Sequence, residues 1–178
     1  MKHDKRKEYL DWDEAFMLMS MLIAKRSKDP STQVGACIVG QNNVIIGLGY
    51  NGHPRGCHDD KIPWVREGAT LDVKYTYVVH AEANAIMNAN SSVKGCRMYI
   101  SLFPCNECAK MIIQSGIAEV VYTSDKYAEV DIFKASHNML RMAGVKLRQY
   151  TPKNELVLQK LELPKSDKPK RKKKTVTK

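Results

Sequence analysis

The chain has 178 residues, of which 43% are apolar, and a formal net charge of +10. That length suits one domain able to bury a core without staples, and no apolar run approaches the ~18 residues of a membrane span. The start MKHDKRKEYLDWDE lacks the apolar stretch of a secretory signal, and five cysteines without a repeating spacing argue against a disulfide framework.

An intracellular, cytoplasmic location follows from these features. The charge is concentrated at one end. Residues 164–178 hold seven Lys and one Arg against one Asp, which leaves about +3 for the rest. That remainder is ordinary for a soluble enzyme, so nucleic acid is not an expected partner outside the tail. Three segments are expected: a charged stretch at 1–11, a domain at 12–163 and a disordered basic tail at 164–178. The basic run at 168–174 could serve nuclear import or simply solubility.

In chain order, DWDEAFMLMSMLIAKRSKD reads as a helix with Trp12, Ala15, Phe16, Met19, Leu22 and Ile23 on its packed face, stopped by Pro30. QVGACIVG and NVIIGLGY, separated by QNN, read as an antiparallel strand pair. Residues 51–77 lose all periodicity and carry Gly, Pro and mixed charge, the signature of a long functional loop. Helix and strand then alternate: HAEANAIMNA, CRMYISLF, CNECAKMIIQSG, AEVVYTS, DIFKASHNMLRMAG and VKLRQY, with glycine stops at Gly116 and Gly144. The alternation predicts a three-layer α/β/α sandwich around a mixed five-stranded sheet. NELVLQKLEL adds a weak amphipathic piece before the tail.

Chemistry concentrates in HAEANAIMNANSSVKGCRMYISLFPCNEC, residues 80–108. Cys105 and Cys108 open a predicted helix after Pro104, so both sulfurs share one side of its first turn. The helix N-terminus favours thiolate, the form that binds zinc. His80 is a natural third donor. Three protein ligands leave a fourth position open, as in catalytic rather than structural zinc sites. Glu82, two residues after His80, can take a proton from a water at that position. Were Glu82 itself the fourth ligand, the site would be a closed clip. A second zinc is not expected, since only Cys57, His58 and their neighbours could contribute.

His-x-Glu followed by Pro-Cys-x-x-Cys is the signature of zinc nucleobase deaminases. Together with RSKDPSTQVGACIV, GLGYNGHPRGCHDD, YVVHAEANAIMN, LFPCNECAKMIIQSGI and VVYTSDKY, it resembles the deoxycytidylate (dCMP) deaminases of the cytidine deaminase superfamily from residue 12 to about 152.

The resemblance implies hydrolysis of dCMP to dUMP and ammonia, with dUMP feeding thymidylate synthesis. Zn2+ would be held by His80, Cys105 and Cys108, with Glu82 moving the protons. It also implies base contact at the Ala81 backbone and sugar contact at Asn51. An Asn before Gly52 would equally suit a left-handed turn. A 5′-phosphate demands cations or N–H donors, and Arg26, Ser27, Lys28 and Tyr127 are the candidates. Arg26 and Lys28 would otherwise be solvated cations at a helix end. By the same resemblance the enzyme is a hexamer, activated by dCTP with Mg2+ and inhibited by dTTP, with Tyr50, Gly52, Asp59 and Asp60 near the effector. The alternatives are a deaminase of tRNA or single-stranded nucleic acid, and a zinc-stabilised scaffold without activity.

Overall fold

The computed structural model describes residues 4–159. Helices α1 (Trp12–Ala24), α2 (Ala81–Met87), α3 (Asn106–Ser115) and α4 (Asp131–Met142) accompany strands β1 (Gly35–Val39), β2 (Ile45–Tyr50), β3 (Arg97–Leu102), β4 (Glu119–Ser124) and β5 (Lys146–Gln149). The five strands form one mixed sheet in the order β2-β1-β3-β4-β5. β1 runs antiparallel to β2 and to β3, whereas β3, β4 and β5 are mutually parallel. Alternate side chains therefore point to opposite faces. Ala36, Ile38, Met98, Ile100, Val120 and Tyr122 enter one core with Ala81, Ala85, Ala109, Ile112 and Leu140 from the helices α2, α3 and α4. Cys37, Val39, Tyr99 and Val121 meet Phe16 and Met17 of α1 on the other face. The sandwich expected from the alternating pattern is present.

The packed face of α1 differs from the expected one. Glu14, Phe16, Met17, Ser20 and Ala24 are buried, while Trp12 and Leu22 are exposed. The reason is close approach. A Cβ at Gly35 would stand 1.9 Å from the Ser20 carbonyl, so beside Phe16 and Met17 the contact runs through the small Ser20 and Ala24, and Leu22 is left outside. Trp12 instead stacks on Phe16 from outside, with centroids 5.4 Å apart. The helix also ends earlier than Pro30, at Ala24, and Asp11 caps its start by accepting from the Glu14 N–H at 2.8 Å.

Residues 51–77 are irregular as expected, apart from two single turns of 3-10 helix at Thr70–Asp72 and Lys74–Thr76. The base of this loop is pinned. Gly52 and Val79 exchange both backbone hydrogen bonds, at 3.1 and 2.9 Å. The amphipathic piece expected from residue 154 onward has no regular secondary structure over 155–159. The expected tail at 164–178, its basic run at 168–174 and the end of the domain at 163 lie outside the described residues. No described helix is long and apolar enough to cross a membrane.

Candidate active site

Two helix starts meet at one end of the sheet. His80 is the N-cap of α2 and Cys105 the N-cap of α3, both in extended backbone conformation. Cys108 lies one turn into α3 and is buried. The His80 Nδ1 sits 3.4 Å from both the Cys105 and the Cys108 Sγ, and the three donor atoms lie within 4.8 Å of one another. Tetrahedral zinc with ordinary Zn–S and Zn–N lengths would separate such donors by roughly 3.5–3.8 Å. The trio therefore fits the ion, and it is the one group of three or more such donors among the described residues.

The electrostatics favour ligation. The Cys108 sulfhydryl first, and then the His80 ring, hold the Cys105 thiol down to about 4, against the opposing effect of burial. Cys108 moves the other way, because beside the Cys105 thiolate it keeps the proton the two sulfurs share. His80 is raised to about 9, chiefly by its bond to Cys105. A divalent cation would displace these protons and take their place.

Glu82, in the first turn of α2, is 4% exposed. Burial pushes its carboxyl up to about 7, with His80 pulling the other way. It lines a cavity of about 350 Å³ with His80, Ala81, Cys105, Asn51 and Tyr127. Leu102, Phe103, Val78 and Val130 give this cavity apolar walls, and Arg66 and Lys74 supply cationic side chains. Five of the residues expected for metal, catalysis and base or sugar contact thus meet at one cavity, with Cys108 beneath it.

Asn51 is held by both ends of its amide. Its Oδ1 accepts from the Val34 N–H at 2.8 Å, and its Nδ2 donates to the Thr32 carbonyl at 2.9 Å and to Asp29 at 3.3 Å. Its φ is not in the left-handed region, so the turn reading gives way to an anchored side chain. Asp29 in turn accepts from the Lys74 Nζ at 2.6 and 2.8 Å, a buried ion pair on the cavity wall.

Arg26, Ser27 and Lys28 do not line this cavity. Arg26 lies 5.9 Å over the Tyr50 ring, Lys28 pairs with Asp59, and the Ser27 Oγ donates to the Asn51 carbonyl at 2.8 Å. Asp29, which accepts from the Ser31 and Thr32 N–H groups at 2.8 and 3.2 Å, lines the cavity where the cations before it do not. Tyr50, Gly52, Asp59 and Asp60 also lie off the cavity wall. Sequence reasoning missed Asp29, Lys74, Arg66 and Phe103. Asp29 directly follows Lys28, and Phe103 stands two residues before Cys105. Lys74 and Arg66 sit in an aperiodic loop and carried no signal.

A sequence profile described as the cytidine and deoxycytidylate deaminase zinc-binding region matches residues 10–124. The chain belongs to the cytidine and deoxycytidylate deaminase family. Within this family it is 58% identical to the mouse deoxycytidylate deaminase over 151 residues, 84% of this chain and 85% of that protein. It is 54% identical to a probable deoxycytidylate deaminase of Drosophila melanogaster, across 86% of this chain and 79% of that one. The dCMP deaminase of cyanophage S-TIM5, solved in complex with dCMP and dUMP, superposes with a TM-score of 0.63 at 28% identity, covering 77% of this chain and 95% of that one. As a family member, the chain carries the deaminase fold and the zinc-binding region together.

Proposed function

We propose that this protein hydrolyses dCMP to dUMP and ammonia, a source of dUMP for thymidylate synthesis. The observation that carries the reading is a buried Glu82 on the same cavity wall as His80 and Cys105. The 58% identity to a deoxycytidylate deaminase supplies the substrate class.

His80, Cys105 and Cys108 would hold Zn2+, which when bound supplies the Lewis acidity that readies water for attack on C4 of cytosine. Glu82 takes the proton of that water, passes it to N3 and then assists departure of the amino group as ammonia. Burial suits Glu82 to this traffic, because a carboxyl with its pKa near 7 both accepts and returns a proton at neutral pH. Ala81 presents backbone to the base at the start of α2. Asn51, fixed by Val34, Thr32 and Asp29, meets the sugar.

For the 5′-phosphate the cavity offers Arg66 and Tyr127. Lys74 is committed to Asp29, whereas among the described residues Arg66 reaches only the Tyr75 hydroxyl, at 3.0 Å, and keeps guanidinium donors for a phosphate. Arg26 and Lys28, standing with Tyr50, Gly52, Asp59 and Asp60, suit the effector: dCTP with Mg2+ as activator and dTTP as inhibitor. A homohexamer and a cytoplasmic location complete the reading by resemblance.

A side-by-side absorbance assay of dCMP, deoxycytidine and dCTP, with and without dCTP–Mg2+ and dTTP, tests it. dCMP is expected to be the preferred substrate, with turnover abolished by a chelator and restored by zinc. No dUMP from dCMP under any of these conditions would overturn the reading. Preference for deoxycytidine would remove the role given to Arg66.

A further inference from the structure

Behind the apolar wall of the cavity lies a polar couple that the chemistry above does not use. The His137 ring on α4 lies flat against Phe103, with centroids 3.8 Å apart and planes inclined by 9°. Tyr122 meets Phe103 edge-on at 4.8 Å. The His137 Nε2 is 2.8 Å from the Asp125 Oδ2, in the turn after β4. Beside His137, the Ser136 Oγ donates to the Pro104 carbonyl at 2.8 Å. The Phe103 N–H donates to the Ser124 carbonyl at 2.8 Å. The segment carrying Phe103 into Cys105 is thus clamped from α4 and from the end of β4.

We propose that Asp125 and His137 are a positioning couple for the substrate's base: by fixing the plane of Phe103, they set the cavity wall against which the pyrimidine rests, without touching it. The inference builds on reading this cavity as the dCMP site.

The couple is a poor stabilising device. The Asp125 Oδ1 and His137 Nδ1 are buried without a hydrogen-bond partner among the described residues. Such atoms cost free energy, and a pair of apolar side chains of similar size would cost less. What the polar pair adds is orientation. An imidazole tied at Nε2 cannot rotate about its own axis, so it presents one fixed face to Phe103. A leucine has no face to present.

The test compares His137→Leu, His137→Phe and Asp125→Asn in the zinc-loaded full-length protein, by steady-state kinetics on dCMP, metal analysis and thermal melting. His137→Leu is expected to raise KM about 3- to 10-fold, the scale of one lost aromatic pair, with kcat changed less than about 2-fold. Zinc content should stay the same, while Tm should fall modestly because Asp125 loses its partner. His137→Phe, which restores a flat ring, should bring KM back towards wild type, and Asp125→Asn should raise it by a smaller factor. An unchanged KM in His137→Leu, or a His137→Phe as impaired as His137→Leu, would overturn the proposal. So would a lowered Tm with kinetics intact, which marks a structural role alone. Each of these results counts only against the couple if the wild type deaminates dCMP. A wild type inactive on dCMP brings down the cavity reading and this inference with it.

Discussion

Glu82 gains its usefulness from where α2 begins. The helix starts at Ala81, so Glu82 lies in its first turn, under the sheet edge and away from solvent. Burial raises its pKa to about 7, and a bound cation would draw that value down again. The base form is needed for water activation, so kcat/KM should fall as pH drops below the working pKa, at or under about 7. A pH–rate profile checks this, and a kcat/KM that does not fall on acidification would deny Glu82 the role of base. Lys74 offers a second residue-scale prediction. Lys74→Met leaves Asp29 buried and unpaired, which should cost about 3–5 kcal/mol in urea unfolding. Adding Asp29→Leu should recover much of that loss in stability but not the hold on Asn51. A single variant as stable as wild type would show that Asp29 finds water or another partner.

Among the elements, the fit of α2 on β2 decides whether the site assembles. A Cβ at Gly49 would stand 2.2 Å from the Ala81 carbonyl and 2.3 Å from the Ala85 N–H. Nothing larger than glycine fits there, and the displaced atoms belong to the turn that carries His80 and Glu82. Gly49→Ala should therefore lower zinc occupancy and activity together, by 10-fold or more on the scale at which a ~1 Å misplacement costs ~10²-fold. Metal analysis beside a dCMP assay checks it, and full zinc content with full activity would contradict it.

This fit also shows where sequence reasoning works and where it stops. Strands β1, β3 and β4 and helices α3 and α4 are legible, because periodicity, thiolate spacing and glycine stops all agree. The Cys105–Cys108 pair and His80 are legible because metal chemistry restricts residue type and spacing together. The packed face of α1 is legible only in part: Phe16 is on it as expected, but Ser20 and the buried Glu14 carry no hydrophobic signal. Lys74 is not legible. Its meaning comes from Asp29, 45 positions away, across a loop without periodicity.

At the scale of the whole molecule, Glu14 joins the two ends of the described chain. Its carboxylate accepts from the Tyr150 hydroxyl at 2.6 Å, the Lys153 N–H at 3.0 Å and the Asn154 N–H at 2.7 Å, tying the segment after β5 to α1. Burial alone would raise its pKa, but these donors outweigh it and hold the carboxyl at about 2. The unfolded chain binds this proton near the ordinary glutamate value of 4.5, so the added stability is full above that pH. It is lost as pH falls from about 4.5 to about 2. Glu14→Gln should cost on the order of 2–3 kcal/mol at neutral pH and flatten the acid-unfolding curve in that window. An acid transition of unchanged slope would deny Glu14 this role.

The central claim joins all three scales: a folded sandwich brings two helix starts together, and the buried acid between them deaminates dCMP. Release of ammonia from dCMP by wild type and by Glu82→Gln, each with its zinc content measured, tests it most directly. The account predicts equal zinc and a loss of turnover of at least ~10²-fold in the variant. Undiminished turnover in zinc-loaded Glu82→Gln would contradict it.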